Sequence, residues 1–193
     1  MVAAASPSLT KTETSTPSAI TAAATRNATW YPARSSALAP VTPRIVPSSA
    51  TPTAAPAWAL MDPDGRPVSS SQFKGKVVVL DFWATWCTPC KAEIPGYIEL
   101  QKKYGADGLV FVGVSVDRDG AQIVKKFIRE HGINYPVVLA GDSDIQSAYG
   151  DISMIPTTFI IDREGQIRDK KVGKEDAAVY EKQILAVLQV PAK

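Results

Sequence analysis

The chain has 193 residues, 45% of them hydrophobic and 21% charged, with a formal net charge of +2. The first 57 residues hold Lys11, Arg26, Arg34 and Arg44 against Glu13, so they carry +3 and the remainder about −1; no basic stripe is left to bind nucleic acid, and no apolar run approaches the ~18 residues a membrane-spanning helix needs. The cysteines number two, Cys87 and Cys90, too few for a disulfide-stapled secreted scaffold.

Residues 1–57 read as a disordered tail. Ala, Ser, Thr and Pro fill 41 of these positions, and eight prolines interrupt any helix that begins. Such a segment buries too little apolar surface to offset its backbone entropy. It suits a spacer to an anchor or a neighbouring domain, an organelle transit peptide (it is hydroxyl-rich and nearly free of acids), or passive sequence. Met1–Thr10 lacks the charged start and apolar stretch of a secretory signal, and Asn27-Ala28-Thr29 fits a glycosylation acceptor. Residues 58–193 are enough for one compact core.

Asp62-Pro63-Asp64-Gly65 is a turn between Trp58–Met61 and Arg66–Ser69, so a hairpin opens the domain. Lys76–Ala84 (KVVVLDFWA) is a near-continuous apolar run, the pattern of a strand buried on both faces. A helix follows over Thr88–Tyr104, with Pro89 in its first turn and a bend at Pro95. Leu109–Val116 is a second buried strand, and Ala121–His131 a helix with Ile123/Phe127 and Val124/Ile128 facing inward. Tyr135–Leu139 is a short strand and Asp144–Tyr149 a short helix stopped by Gly150. Thr157–Asp162 and Gln166–Val172 form a hairpin, and Lys174–Leu188 closes the chain as a helix with Tyr180, Ile184, Val187 and Leu188 inward. This order implies an α/β three-layer sandwich whose last hairpin adds antiparallel strands at one side of a mixed sheet.

Trp86-Cys87-Thr88-Pro89-Cys90 falls where a buried strand turns into a helix. Free N–H groups and the positive end of the dipole at a helix N-terminus stabilise a thiolate, and a thiolate is the attacking species of thiol chemistry. Cys90, three residues on, lies on the same face within ~6 Å, so the two sulfurs can close a disulfide. Cys87 is then the exposed nucleophile and Cys90 the shielded resolving thiol. A purely structural bridge over so short a loop removes little unfolded-state entropy. A zinc site needs four ligands, and the chain offers two cysteines and His131. His131 reads as a solvated helix-end residue. Ala84-Thr85-Trp86 precedes Cys87 without the upstream proline that accompanies a peroxidatic cysteine.

The stretch KVVVLDFWATWCTPCKAEIP resembles the active-site segment of thioredoxin-fold proteins, most closely the TlpA/ResA branch of thiol–disulfide oxidoreductases. Gly65 and Phe73-Lys74-Gly75-Lys76 resemble the hairpin extension that precedes the first core strand there. Glu93 matches that branch's active-site glutamate, and Ile155-Pro156-Thr157-Thr158-Phe159 resembles the stretch carrying the fold's cis-proline. Asp81 departs from the branch: it stands where thioredoxin has a buried proton-accepting aspartate. The resemblance therefore implies a thioredoxin-like domain over residues 58–193, with Cys87, Cys90, Glu93 and Asp81 as catalytic residues. Trp86, Thr88, Pro89, Ile155 and Pro156 would meet the substrate, with backbone before Pro156 pairing with an incoming strand. It implies protein thiol or disulfide substrates, an upstream electron donor, no dissociable cofactor, no metal, and a monomer. It also implies disulfide reduction outside the cytoplasm, in the periplasm or envelope, for instance keeping apocytochrome thiols reduced. The rivals are an organelle reductase, as in a chloroplast, with a cleavable tail, and a redox-silent binding module.

Overall fold

A computed structural model describes residues 53–189. The greater part of the expected tail, with Asn27-Ala28-Thr29, lies outside the described residues. Within them, eight strands form one sheet: β1 (Thr53–Ala54), β2 (Ala59–Met61), β3 (Pro67–Ser69), β4 (Val77–Trp83), β5 (Leu109–Ser115), β6 (Val137–Leu139), β7 (Thr157–Ile161) and β8 (Gln166–Val172). The helices are α1 (Thr88–Tyr104), α2 (Ala121–His131), α3 (Ile145–Ala148) and α4 (Ala177–Leu188). The strand order is β1-β8-β7-β4-β5-β6-β2-β3, the mixed sheet of a thioredoxin-like fold.

The apolar run of β4 places it centrally, parallel to β5 and antiparallel to β7. Side chains alternate across the sheet. Val77 and Val79 pack with Tyr97, Leu100, Tyr180 and Ile184 from α1 and α4. Trp83, on the same face, packs with Cys87, Cys90, Ile94 and with Val124 and Phe127 of α2. Leu80 and Phe82 point the other way, to Val112, Val138, Phe159 and the Ile145 and Tyr149 of the α3 segment. Gly113 on β5 leaves room for the Trp83 indole, since a Cβ there would lie 2.7 Å from Trp83 Nε1.

Several expected boundaries move. The fold begins ahead of Trp58: β1 pairs antiparallel with β8, and the Ala55 N–H donates to the Gly165 carbonyl at 2.8 Å. Two residues of pairing carry no periodicity, so composition alone assigns them to the tail. Ile123 is 42% exposed rather than inward, because Val124 and Phe127 already define the buried face of α2. The last helix starts at Ala177, not Lys174, and α1 runs unbroken through Pro95. No helix among the described residues is long and apolar enough to cross a membrane.

Candidate active site

Beyond Trp83 the chain turns sharply before α1. The Cys87 N–H donates to the Ala84 carbonyl at 3.1 Å, which leaves Cys87 as the N-cap of α1. Its Sγ accepts the Cys90 N–H at 3.3 Å, the acceptor role an N-cap side chain takes. Thr88 and Pro89 form the first turn, where proline gives up a donor the helix does not use. The two sulfurs are joined in a disulfide, with Cα atoms 5.3 Å apart.

In this oxidised pair Cys87 is 4% exposed and Cys90 1%. The expectation of an exposed Cys87 is thus corrected for the disulfide state: its sulfur is covered by its bonded partner and by the cluster around Trp83 and Ile155. The order of accessibility is still the expected one. Trp86 is 63% exposed, and Thr88 and Pro89 are exposed beside it.

The loop into β7 closes the other side. The Ile155–Pro156 peptide bond is cis, and Ile155 packs against the cysteine cluster. The Thr157 hydroxyl donates to the Met154 carbonyl at 2.7 Å and holds this loop in shape. The Pro156 carbonyl is taken by Gly173 N–H at 2.8 Å. Met154 is 59% exposed; sequence reasoning missed it, although an apolar residue in the loop just before Ile155-Pro156 is a readable signal.

Two acids are buried in the same domain, one on β4 and one on α1. Asp81 alternates with Val79 and Trp83 on the helix-covered face of β4, opposite Thr158 of β7. The Thr158 hydroxyl donates to Asp81 Oδ1 at 3.1 Å and accepts from the Tyr180 hydroxyl at 3.1 Å, with the Tyr97 hydroxyl 3.4 Å away. Burial, and then the neighbouring Glu93, push the Asp81 carboxyl up to about 8, against the lowering effect of Thr158. Glu93, on the buried side of α1, accepts the Glu175 N–H, just ahead of α4, on Oε1 at 2.8 Å. Its Oε2 has no hydrogen-bond partner among the described residues. Burial raises the Glu93 carboxyl, while the Glu175 N–H, Tyr97, Lys174 and Tyr180 pull it back. A cavity of about 110 Å³ borders Glu93, Tyr97, Lys174 and Tyr180.

The structure therefore gathers Cys87, Cys90 and Ile155 in one cluster, with Trp86 in the turn before α1, Thr88 and Pro89 in its first turn, Pro156 following Ile155 across the cis bond, and Asp81 and Glu93 buried close enough to sense each other's charge. Thr158, Tyr97 and Tyr180 complete the polar cluster; Tyr180 reads in the sequence as a core residue and Thr158 as a neighbour of the cis-proline, neither with a role at the site, and Tyr97 is not singled out there. His131 stands apart, its ring stacked on Phe127 at 3.7 Å between centroids. The assembly supports thiol–disulfide exchange: a helix N-terminus favours thiolate at Cys87, and a buried acid with a raised pKa can hold a proton near neutrality.

A family model described as Redoxin matches residues 49–188. The chain is 41% identical over 113 residues to the thiol-disulfide oxidoreductase ResA of Bacillus subtilis, covering 58% of this chain and 62% of that protein. It is 35% identical over 133 residues to the ResA of Bacillus thuringiensis subsp. konkukian, covering 67% of this chain and 76% of the relative. Among solved structures, a thiol:disulfide interchange protein of Chlorobium tepidum superposes with a TM-score of 0.66 at 35% identity, over 73% of this chain and 99% of the other.

Proposed function

The chain belongs to the redoxin family, within its ResA-like thiol–disulfide oxidoreductases, and from that premise we propose that it reduces or exchanges disulfides of other proteins through Cys87 and Cys90. In the reduced form Cys87 thiolate attacks one sulfur of the substrate disulfide; a mixed disulfide forms and the other substrate sulfur leaves as thiolate. Cys90 then gives its proton to whichever member of the buried acid pair, Asp81 or Glu93, is ionised, and attacks Cys87 Sγ. The substrate's second sulfur leaves, the substrate has gained two electrons, and the Cys87–Cys90 disulfide closes. Both electrons travel in sulfur–sulfur bonds, so the cycle needs no dissociable cofactor. An upstream dithiol donor reopens the bond.

The observation that carries this reading is the Cys90 N–H aimed at Cys87 Sγ from the first turn of α1. Ile155 supplies the backbone that an extended substrate segment would pair with, as in strand addition. We place the reaction outside the cytoplasm and take the working unit as a monomer; the resemblance to the TlpA/ResA branch supports the first of these. The test is trapping. Cys90→Ser, incubated with a disulfide-containing substrate, should accumulate a covalent adduct through Cys87 that vanishes on reduction, and Cys87→Ser should give none. Equal adducts from both variants, or none from either, overturn the proposal.

A further inference from the structure

A third buried carboxylate bears on this site from a different strand end. Asp117, two residues past β5, is 8% exposed. The Thr85 hydroxyl donates to its Oδ1 at 2.6 Å. The Thr85 N–H donates to both oxygens, at 3.0 Å to Oδ2 and 3.2 Å to Oδ1. Ser115, wholly buried, donates its hydroxyl to Oδ2 at 2.7 Å and accepts the Asp117 N–H at 3.2 Å.

The location explains the need. The β4–β5 ladder stops at Trp83 and Ser115, and the last backbone link is Val116 N–H to the Trp83 carbonyl at 2.9 Å. Thr85 lies past that end, inside the turn that Cys87 N–H closes on Ala84. Its N–H faces inward with no strand carbonyl left to meet it, and a buried unmet donor is costly. The Asp117 carboxylate takes the place of that carbonyl. Hydrogen bonds to an ionised acceptor are stronger than neutral ones, so the turn is held from both its N–H and its side chain. What hangs from it is Trp86 and the N-cap cysteine.

Resting on the redox reading above, we propose that Asp117 is a positioning residue for Cys87, acting through Thr85: it locks the turn between β4 and α1 so that the helix N-terminus stays registered beneath the nucleophilic sulfur. Asp117 makes no contact with either sulfur in this role. Its charge acts in the opposite sense to its hold. A carboxylate near the site disfavours thiolate, as do Asp81 and Glu93 when ionised, whereas a well-aimed N-terminus favours it. Loss of hold and loss of charge therefore move the thiol in opposite directions, which makes the two separable.

The experiment follows alkylation of Cys87 in the reduced protein as a function of pH, for wild type, Asp117→Ala, Thr85→Val and Thr85→Ser, with thermal unfolding as the fold check. The expected result is a rise in the alkylation midpoint and about a tenfold loss of rate at neutral pH for Asp117→Ala. Thr85→Val should shift the same way by a smaller factor, and Thr85→Ser, which keeps the hydroxyl, should return to wild type. Unchanged midpoints and rates in Asp117→Ala and Thr85→Val overturn the proposal. So does a lowered midpoint, which would make Asp117 a charge and not a clamp. If Asp117→Ala does not fold, the Thr85→Val and Thr85→Ser pair decides alone. The redox reading fails separately, by absence of Cys87 adducts in Cys90→Ser with the wild-type turn intact.

Discussion

Asp81 and Thr158 face each other across the β4–β7 pair, and the Thr158 hydroxyl is committed to Asp81 Oδ1 at 3.1 Å. One neutral hydroxyl is a small compensation for a carboxylate that is 4% exposed. The native chain therefore prefers Asp81 as the neutral acid over a wide range of pH.

That preference fixes a stability profile. The Asp81 carboxyl moves from 3.8 to about 8 on folding. Between these values the native chain keeps a proton the unfolded chain has lost, so stability falls as pH rises from about 4 to about 8. Asp81→Asn cannot ionise. The oxidised variant should exceed wild type at pH 8 by on the order of a few kcal/mol, with the gap closing near pH 4. Urea midpoints across this range measure it, and a wild-type profile parallel to the variant's would refute it.

Glu93 is the second cause lifting Asp81, after burial. Glu93→Gln keeps an oxygen for the Glu175 N–H and removes the charge. The upper end of the pH-dependent loss of stability should move to lower pH in this variant. The same urea series reads it; an unmoved upper end would mean that the two acids do not sense each other.

Trp86, next to Cys87, and Met154, next to Ile155, expose apolar surface, 63% and 59% respectively. Each alanine variant should change folding stability by no more than about 0.5 kcal/mol, as exposed substitutions do. The KM for a protein disulfide should rise several-fold while turnover of a small disulfide stays the same. Equal loss on both substrates would assign the side chains to the chemistry and not to docking.

Gly113→Ala would bring a methyl 2.7 Å from the Trp83 indole nitrogen. Overfilling a packed core costs about 1–3 kcal/mol, and the displaced indole lies in the cysteine cluster. A lower urea midpoint together with changed tryptophan fluorescence is expected. Wild-type values for both would show that the strand yields without disturbing Trp83.

The legible parts of this molecule were those with local signals. The near-continuous apolar run of β4, broken only by Asp81, and the apolar periodicity of α2 delimit those elements within a residue or so, and the proline two residues after Cys87 marks the first turn of α1. The cysteine spacing located the reactive pair for the same reason: it is a three-residue relationship. Asp117 meets Thr85 across 32 positions, and Thr158 meets Asp81 across 77. Each is an ordinary residue type whose role exists only once distant strands are side by side. A cysteine at a helix N-terminus reads as open, but the sequence does not say that the pair is held as a disulfide, in which Cys87 is buried.

The segment joining β1 to β2 runs from one edge of the sheet to the strand next to the other edge. Ala55 is tied to Gly165, Pro56 accepts the Tyr149 hydroxyl at 2.9 Å, and Trp58 N–H reaches Ser70 Oγ at 3.2 Å. A short span of chain thus shields β8 on one side and delivers β2 to β6 on the other. Proteolysis just upstream of Trp58 would uncover the Gln166–Ile167 end of β8 and lengthen its open border of backbone groups, the kind through which sheets recruit one another into aggregates.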